Sequence, residues 1–481
     1  MSQSQLNQSE KQKLTLADLP GPRSYPLIGN LLQFDRKRIH CSMEQWADEY
    51  GDIFLFKFGP QSMVGIADPE LQKTILRSRP QQFRRIKNLQ TVIGDMGITG
   101  VFDAEGESWK RQRRMISPIF NKVSIKNFLP ILTEITERLY EVCKETTTTD
   151  SAVDIRQHLM RYTVDTTVNL AFGHPLNSLQ HTGDKLQENI DKIFPMISRR
   201  IQAPFPYWRY VKFADDKALD KAVEYVNKRS LELISETKEK MQQDPSRYQT
   251  PSNLLEAMIA AKDDDDSTFS EEELFGNIII ILLAGEDTTA NTLAWMIFYL
   301  IENPNIQEKL RQEILNVESQ HSDKTEFEIL SELHYVEAAI RETLRLKSIA
   351  PFLFMEPNED VVLAGYEIPK GQPLALLTRK GGFNESNYPE SQKFDPDRWF
   401  ENKETSSCPH RADNHFPFGA GPRVCPGEQL AILEMKMVMR MMCKNFNIVA
   451  AQSEKPVEEV YAFTVFPENL SVKLIPITND D

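Results

Sequence analysis

The segment from Ser270 to Asn303 most constrains what this chain can fold into. Ser270 and Glu273 have the spacing of a capping box and Pro304 ends the run, which predicts one helix of 34 residues. At about 1.5 Å per residue, that helix would be roughly 50 Å long, enough to cross a whole domain. The chain therefore needs a domain large enough to enclose it.

Most of the remaining sequence also has helical periodicity. Helices are predicted at residues 42–50, 108–141, 154–240, 305–317, 335–346 and 427–445. Alternating or short apolar runs predict strands at residues 53–58, 63–66, 361–367 and 374–377, the first two as a hairpin. Strands and helices do not alternate in the way that a doubly wound parallel sheet requires. The sequence predicts a fold that is mainly α with a minor β part.

The first 18 residues are polar and lack an apolar run. We expect residues 1–18 to be disordered, and to be neither a signal peptide nor a membrane anchor. The Pro-rich segment Leu19–Arg23 separates them from the folded part. The longest apolar run, Ile278–Ala284, is far too short to cross a bilayer. No convincing linker follows, so we expect residues 19–481 to form one large domain.

Composition limits the function classes and the compartment. The chain has 56 Lys and Arg against 70 Asp and Glu, and its net charge of −14 argues against wholesale nucleic-acid binding, which needs a basic face. Its five cysteines are few and far apart, unlike those of a disulfide framework. A reducing compartment fits this pattern, and we expect the protein to be cytoplasmic.

A loop rich in glycine and proline surrounds Cys425. The ten residues Phe418–Gly427 contain three glycines and two prolines, so backbone N–H groups can approach the sulfur and stabilise a thiolate that binds a metal. Cys425 also precedes a predicted helix, whose N-terminal dipole favours the thiolate form. Arg423 adds a positive charge that could offset a carboxylate on a cofactor.

Two other interpretations of Cys425 are open on this evidence. A free cysteine at a helix start is more often an inert buried thiol. A further alternative is a zinc site formed by Cys408, His410, His415 and Cys425. The spacing of those four residues matches none of the usual patterns of paired zinc ligands.

The decapeptide Phe418–Gly427 resembles the haem-binding loop of the cytochrome P450 superfamily, Phe-x-x-Gly-x-Arg-x-Cys-x-Gly, at every fixed position. The resemblance implies that Cys425 is the axial ligand of a haem b iron. Its thiolate would then push electron density onto the iron and favour O–O cleavage. Haem contacts are implied for four further residues of the loop, Phe418, Gly419, Arg423 and Gly427.

The segment Ala284–Thr289 lies midway along the long helix. Its glycine, acidic residues and two threonines are unfavourable in the interior of a helix. A threonine hydroxyl can bond the carbonyl one turn back and widen the helix locally. Ala284 and Thr288 share a face, where a small residue leaves room for a flat cofactor, although a polar kink in a core helix is the alternative. The segment resembles the superfamily's Ala/Gly-Gly-x-Asp/Glu-Thr signature. That resemblance implies that Thr288 stabilises iron-bound oxygen and that Asp287 helps deliver protons.

Glu342 and Arg345 lie three residues apart on one face of a predicted helix, which is a common surface pair. They also match the Glu-x-x-Arg motif of the superfamily. The resemblance implies that Arg398, in the segment Phe394–Trp399, joins them in a buried structural network behind the cysteine loop.

Trp109 and Arg113 are four residues apart, and both offer hydrogen-bond donors suited to a carboxylate. A surface helix with basic residues is the ordinary interpretation. The Trp-x-x-x-Arg motif of the superfamily implies instead that the two residues bind the haem propionates. The neighbouring cations then become candidates for docking an acidic electron carrier: Lys110, Arg111 and Arg114.

Five motifs between Trp109 and Gly427 thus resemble those of the superfamily, in the same order. The resemblance implies a single triangular domain that is a monooxygenase, inserting one oxygen atom from O2 into a small lipophilic substrate. Electrons from NAD(P)H would arrive through a separate ferredoxin or flavodoxin and its reductase, and we expect a monomer. A haem-thiolate isomerase, dehydratase or peroxygenase is one alternative, and a non-enzymatic haem sensor or carrier is another.

By resemblance, the substrate pocket draws on Phe102, Ala284, Ala350, Phe352, Phe354, Phe463 and Thr464. The apolar residues Phe352, Phe354, Phe463 and Val465 of this region favour a lipophilic substrate. Arg84 and Arg85 could steer a carboxylate on such a substrate, although solvated surface charge is the ordinary interpretation of that pair.

Overall fold

The computed structural model describes residues 14–148, 152–173, 177–180, 185–190, 192–201, 203, 205–320, 324–400, 414–453 and 455–477. The helices in these residues are α1 (Ile39–Tyr50), α2 (Pro69–Arg77), α3 (Lys87–Gly94), α4 (Gly106–Ile116), α5 (Lys122–Thr147), α6 (Ile155–Phe172), α7 (Lys185–Ile190), α8 (Ile193–Ile201), α9 (Ala214–Gln243), α10 (Leu254–Ala260), α11 (Glu271–Glu302), α12 (Pro304–Gln320), α13 (Glu326–Glu332), α14 (His334–Leu346) and α15 (Glu428–Asn445). The strands are β1 (Ile53–Phe58), β2 (Gln61–Ile66), β3 (Phe83–Arg85), β4 (Leu353–Pro357), β5 (Val361–Leu363), β6 (Tyr366–Ile368), β7 (Leu374–Leu376), β8 (Phe446–Ala450), β9 (Glu458–Ala462), β10 (Thr464–Glu468) and β11 (Val472–Pro476).

Helix α11 is the long helix that the sequence predicts. The side chain of Ser270 accepts a hydrogen bond from the N–H of Glu273, and the side chain of Glu273 accepts one from the N–H of Ser270, so the predicted capping box is formed. The 32 residues of α11 span about 48 Å at ~1.5 Å per residue. Helices α6, α14 and α15 and strand β10 pack against α11, which therefore runs through the main hydrophobic core.

The largest sheet has five strands in the order β1-β2-β7-β4-β3. Strands β1 and β2 form the predicted hairpin, in which Ile53 pairs with Ile66 and Phe58 with Gln61. Strand β2 pairs with β7 in parallel, and the other neighbours in this sheet are antiparallel. Three two-stranded sheets are formed by β5 with β6, β8 with β11, and β9 with β10. The fold is mainly α with a minor β part, as predicted.

The folded part begins earlier than the predicted boundary at residue 19. Residues 1–13 of the expected disordered start lie outside the described residues. Leu14, however, pairs with Tyr366, and Leu16–Asp18 form a 3-10 helix. The expectation of disorder is therefore wrong for residues 14–18, because strand β6 offers Leu14 a backbone partner that local sequence does not reveal.

Two smaller hydrophobic cores lie beside the five-stranded sheet. One contains residues of α2 and of β2, β4 and β7, and the other contains aromatic residues of α1 and β1. Within the described parts of the chain, no helix combines the length and the apolarity that crossing a bilayer requires.

Candidate functional site

Two glycines in the left-handed conformation shape the Cys425 loop. Gly419 and Gly421 have φ angles of 75° and 70°, which glycine adopts without the steric cost of a side chain. A Cβ on Gly421 would lie 2.7 Å from Cα of Arg77, so this glycine also allows the loop to contact α2. The N–H of Cys425 donates to the carbonyl of Phe418 at 2.8 Å. The loop therefore holds Cys425 in a defined place shortly before α15.

The thiol of Cys425 is subject to opposing influences. Desolvation within the domain raises the pKa of Cys425 most, whereas the N–H of Gly427 and the guanidinium of Arg113 lower it. The predicted stabilisation of a thiolate by backbone N–H groups is thus present, but desolvation outweighs it and the pKa is raised. The side chain itself is exposed and can be reached by a ligand. A metal cation at the sulfur would supply the positive charge that the thiolate still needs.

Ala284 and Thr288 form an exposed face on the otherwise buried helix α11. Both residues are exposed, whereas Leu283, Glu286 and Thr289 between and beside them are buried. The hydroxyl of Thr288 donates to the carbonyl of Ala284 at 2.7 Å, the bond that the sequence predicts for a threonine one turn on. The α-helix is continuous through the segment. The result is a face of small side chains beside which a flat ligand can lie.

Helix α6 approaches α11 closely next to this face. A Cβ on Gly285 would lie 2.7 Å from Oγ1 of Thr167, so the glycine is needed for the approach. The hydroxyl of Thr163 donates to the backbone carbonyl of Glu286 at 2.8 Å. A side chain that inserts into the backbone hydrogen bonds of a neighbouring helix is a known cause of local distortion of that helix. The backbone beside Ala284 is therefore held by a contact with α6 that the sequence does not reveal.

Four arginines gather around two carboxylates near the cysteine loop. This arginine cluster consists of Arg79, Arg85, Arg113, Arg423, Asp103 and Glu105. Arg423 donates to Glu105 and to a backbone carbonyl, and its guanidinium lies 4.4 Å from the ring centre of Trp109. Arg79 lies 3.8 Å from Glu105. The two carboxylates leave two guanidinium charges unmatched within the cluster.

Some donors of the arginine cluster are buried without an acceptor. Nε and Nη2 of Arg79, and Nε and Nη1 of Arg423, have no hydrogen-bond partner among the described residues. Burial, together with the neighbouring charges of Arg85 and Arg423, lowers the pKa of Arg79 to about 8. Buried donors without partners are costly, and an anion would satisfy them. Both the donors and the excess charge fit the two propionate groups of a haem.

The sequence does not single out Arg79, which stands before Pro80 in a segment that resembles an ordinary turn. The sequence does not distinguish Arg79 from Arg77, two residues earlier, which is exposed in the structure. The distinction arises because the fold buries Arg79 beside Glu105. Trp109 and Arg113, to which the resemblance assigns the propionates, and Arg423, to which it assigns a haem contact, belong to the same region as Arg79.

Glu342, Arg345 and Arg398 meet in the interior. Arg345 donates to the two carboxylate oxygens of Glu342 at 2.7 and 2.9 Å, and Arg398 donates to Glu342 at 2.8 Å. The indole of Trp399 donates to the same carboxylate at 3.1 Å. Two backbone carbonyls accept from Nη1 of Arg345, at 2.6 and 2.7 Å. The structure thus joins all three residues in a network with satisfied hydrogen bonds.

The three cations that we considered for docking an electron carrier are paired within the chain. The ion pairs are Arg111 with Asp263 and Glu273, Arg114 with Asp264, and Lys110 with Glu107. Two of these carboxylates belong to the loop that precedes α11, which the fold brings against α4. Lys110 is thus paired within its own helix, Arg111 and Arg114 are paired with acidic residues distant in sequence, and docking of an electron carrier there stays a prediction.

The hairpin β9–β10 brings part of the predicted substrate pocket to α11. Phe463 occupies the tip of the hairpin with a φ of 75°, a strained conformation for a bulky residue and one that clusters at functional sites. The hydroxyl of Thr464 lies 3.3 Å from a carboxylate oxygen of Asp287. The N–H of Val465 donates to the carbonyl of Ile349, the residue before exposed Ala350. Phe463 and Ala350 therefore lie in the same region as Asp287, whereas Thr464 is engaged with Asp287 itself.

Phe352, which the resemblance assigns to the pocket, has a buried ring, and its place in the pocket stays a prediction. Its ring is buried 4.9 Å from that of Phe354 and 5.0 Å from that of Tyr461, in the core between α1 and the sheet. Packing of α1 against β1 encloses the ring, which the sequence alone could not show. Phe354 is half-buried next to this core, and Phe102 is half-buried with the guanidinium of Arg85 3.9 Å from its ring centre.

Arg84 and Arg85 are not the solvated surface charges that the ordinary interpretation would make them. Arg84 donates to Glu356 at 2.8 Å across the pairing of β3 with β4. Arg85 donates to the carbonyl of Phe102 at 3.0 Å, and burial lowers the pKa of Arg85. Pairing of the strands leaves both arginines half-buried, and Arg85 becomes part of the arginine cluster.

The described residues do not support the zinc alternative for Cys425. Cys408 and His410 lie outside those residues. His415 is buried, and desolvation together with the charge of Arg345 lowers its pKa to about 3. His415 and Cys425 do not belong to any group of potential metal ligands in the described part of the chain.

One other group of potential metal ligands occurs among the described residues, His40, Cys41 and Glu459. The guanidinium of Arg379 donates to Glu459 at 2.7 Å and lies 3.5 Å from the sulfur of Cys41. Lys347 forms an ion pair with Glu459 as well. Protein cations thus already compensate this carboxylate, and repulsion would oppose a metal ion there.

Comparison with known proteins matches the family described as Cytochrome P450 to residues 19–474 of this chain. Cytochrome P450 94A1 of Vicia sativa is 29% identical over 449 residues, which cover 89% of this chain and 85% of that protein. Cytochrome P450 3A12 of Canis lupus familiaris is 27% identical, with coverage of 89% and 85%. The mitochondrial 1,25-dihydroxyvitamin D(3) 24-hydroxylase of Rattus norvegicus is 26% identical, with coverage of 94% and 87%.

The family match spans nearly the whole chain, including the Cys425 loop, the arginine cluster and helix α11. It confirms the family that the five motifs predict. The chain therefore belongs to the cytochrome P450 family, and its enzyme class is that of a P450 monooxygenase.

Proposed function

We propose that the protein uses haem b, bound through Cys425, to insert one oxygen atom of O2 into a small lipophilic substrate. The observation that carries this proposal is the arginine cluster near the cysteine loop, in which buried donors of Arg79 and Arg423 have no acceptor among the described residues. A dianionic cofactor would satisfy these donors, and the thiol of Cys425 would bind its metal. A sensor or carrier would also need the haem, but it would not need an acid and a hydroxyl on α11.

The residues of the site have distinct proposed roles. When bound, the haem would supply the redox chemistry that activates dioxygen. Cys425 would hold the iron, and Trp109, Arg113 and Arg423 would hold the propionates. The proton of Thr288 is donated to the carbonyl of Ala284, so the lone pairs of its oxygen remain able to accept a hydrogen bond.

Asp287 would exchange protons with solvent for the reaction, because a carboxylate can accept and release a proton near neutral pH when its surroundings adjust its pKa. Its carboxylate lies next to Thr288 in the chain and accepts a hydrogen bond from Thr464. This placement would let Asp287 supply protons close to the hydroxyl of Thr288.

The proposed substrate is lipophilic because Phe102, Phe354, Phe463 and Ala350 offer apolar surface in the region of α11. We propose that electrons from NAD(P)H reach the haem through a separate ferredoxin or flavodoxin and its reductase. Because Lys110, Arg111 and Arg114 are neutralised, a carrier would have to dock elsewhere or compete with their carboxylates. We also propose a cytoplasmic location, since the four described cysteines are all free thiols, as in a reducing compartment, and we propose a monomer.

The first test is spectroscopic and concerns the metal ligand. We expect the reduced protein with CO to show the strongly red-shifted Soret band of thiolate ligation. Cys425→Ala should lose that band, whereas Cys143→Ala, which changes a buried cysteine elsewhere, should keep it. A Cys425→Ala variant with an unchanged band would show that another residue is the ligand.

The second test separates monooxygenation from its alternatives. Lauric acid, cholesterol and limonene are incubated with the protein under three conditions: NAD(P)H with ferredoxin and reductase, peroxide alone, and no addition. Oxygenated product that contains label from 18O2 and requires the electron donors supports the proposal. Product with peroxide alone indicates a peroxygenase, conversion with no addition indicates an isomerase or dehydratase, and haem binding without conversion indicates a sensor or carrier.

A further inference from the structure

A chain of three hydrogen bonds leads from α6 to Asp287. Nε of Arg156 donates to the side-chain oxygen of Asn291 at 2.8 Å, and the amide nitrogen of Asn291 donates to Oγ1 of Thr464 at 3.2 Å. Oγ1 of Thr464 in turn donates to Oδ2 of Asp287 at 3.3 Å. Asn291 and Thr464 are buried, whereas Arg156 is half-buried. These hydrogen bonds thus connect the first turn of α6 with Asp287, the residue before Thr288.

Chemistry fixes the direction of every bond in this chain. An arginine can only donate, so Asn291 must present its oxygen to Arg156 and its NH2 group to Thr464. The oxygen of Thr464 then accepts from Asn291, which leaves its single proton for Asp287. All three bonds therefore point toward the carboxylate, and they are compatible with Asp287 as an ionised acceptor.

Arg156 is itself held in place. Its guanidinium lies 4.1 Å from the ring centre of Phe466, a cation–π contact that fixes the plane of the group. Burial lowers the pKa of Arg156, while the charges of Asp287 and Asp154 raise it. Arg156 also lines an open groove at the surface together with Asp154 and Lys455. The positive charge is thus both anchored and electrostatically coupled to Asp287.

Other charged groups near this part of α11 are engaged separately. Glu286, the neighbour of Asp287 on the helix, accepts a hydrogen bond from Gln187 of α7. Glu434 of α15 is hydrogen-bonded to Thr289. Arg156 is a cation whose hydrogen bonds lead, through Asn291 and Thr464, to Asp287.

We propose that Arg156 is a positioning residue for oxygen activation, which acts through Asn291 and Thr464 to hold Asp287 as an oriented, ionised acceptor beside Thr288. This inference rests on the proposed monooxygenase function. The chain holds one carboxylate oxygen of Asp287 in place, and removal of the chain lets the carboxylate rotate or protonate. Protons would then arrive less reliably, and reducing equivalents would be lost as peroxide.

The test uses haem-loaded protein and four variants. Thr464→Val removes the hydroxyl but keeps the β-branched shape, Thr464→Ser restores a hydroxyl, and Arg156→Met removes the charge. Lys455→Met is the matched control, because Lys455 lines the same groove outside the hydrogen-bond chain. The substrate is whichever of the panel of lauric acid, cholesterol and limonene the wild type oxidises. Peroxide and product formed per NAD(P)H consumed are measured as a function of pH.

We expect Thr464→Val and Arg156→Met to divert several-fold more reducing equivalents into peroxide. Loss of one charge-assisted hydrogen bond should also raise the midpoint of the acid limb of the pH profile by about one unit. Thr464→Ser and Lys455→Met should keep the wild-type midpoint and product yield. If Thr464→Val behaves like the wild type in both readouts while the wild type makes product, the positioning role is refuted and the monooxygenase function stands.

A third readout requires no turnover. Melting temperatures of the haem-loaded wild type, Thr464→Val, Asp287→Asn and the double variant form a cycle. If the two side chains are bonded, the sum of the melting-temperature shifts of the two single variants should exceed the shift of the double variant. Additive shifts would overturn the contact. If no panel compound is oxidised, the proposed function fails on its own, and this cycle still decides whether the chain is formed.

Discussion

Arg345 donates hydrogen bonds to both carboxylate oxygens of Glu342, at 2.7 and 2.9 Å, and neither side chain is exposed to solvent. Arg398 shares the same carboxylate at 2.8 Å. Desolvation of such a group is offset only while all partners are present, so a single truncation leaves an uncompensated buried charge.

Arg345→Ala should therefore lower the free energy of unfolding by about 3–5 kcal/mol and yield little haem-loaded protein. The measurement is the haem-to-protein ratio together with the melting temperature. Arg341→Ala is a suitable control, since Arg341 lies on the same helix and pairs with Glu337 at a partly exposed site, where the loss should be about 1 kcal/mol or less. Normal melting and full haem content in Arg345→Ala would show that the network contributes little to stability.

Arg79→Gln should weaken haem retention, because Arg79 offers buried donors without partners next to Arg423. Loss of one charge-assisted bond of about 1.5–3 kcal/mol corresponds to roughly 10- to 100-fold faster transfer of haem to a haem scavenger. The absorbance change of the scavenger gives the rate. Arg77→Gln, which removes an exposed arginine two residues earlier, should transfer haem at the wild-type rate. Equal rates for Arg79→Gln and wild type would exclude Arg79 from the haem site.

Thr288→Ala should retain haem and still consume NAD(P)H, but more of the reducing equivalents should appear as peroxide and fewer as product. The reason is that the only hydroxyl on the exposed face formed with Ala284 is lost. Thr292→Ala, in which a hydroxyl bonded one turn back at 2.8 Å is removed from a buried position, serves as the control and should keep product yield. Full coupling in Thr288→Ala would favour the interpretation of this segment as a polar feature of a core helix.

Stability should depend on pH through Glu434. Burial raises the pKa of this carboxyl from 4.5 to about 8, although a hydrogen bond with Thr289 partly opposes the shift. Since the folded protein holds a proton that the unfolded chain releases, the stability contributed by the neutral acid is complete below about pH 4.5 and is lost as pH rises to about 8. The full difference is on the order of 5 kcal/mol.

Glu434→Gln removes the ionisable group and keeps hydrogen-bonding capacity. Its melting temperature relative to the wild type should therefore increase between pH 5 and 8, as measured by circular dichroism in matched buffers. Glu302→Gln, at the exposed end of α11, should show no such trend. A constant difference between Glu434→Gln and wild type over this range would show that Glu434 ionises as an ordinary exposed glutamate does.

Local sequence was sufficient for elements whose signals lie within a few residues. The capping box of Ser270 and Glu273 defines the start of α11, and the alternation around Gly59-Pro60 defines the first hairpin. The motif around Cys425 likewise led to the family, because glycines that allow a tight loop and a cysteine before a helix are adjacent in the chain. In each case the interacting groups are neighbours in sequence, so no long-range packing is needed to recognise them.

Tertiary structure decided the features that depend on burial and on partners far away in the chain. Arg79 differs from Arg77 only because the fold buries it beside Glu105, and Phe352 is buried because α1 packs over it. Thr464 reaches Asp287 across 177 positions of sequence. Desolvation and ion pairing depend on what surrounds a side chain in space, so the charge state and the role of these residues follow from packing and not from the identity of their neighbours in the chain.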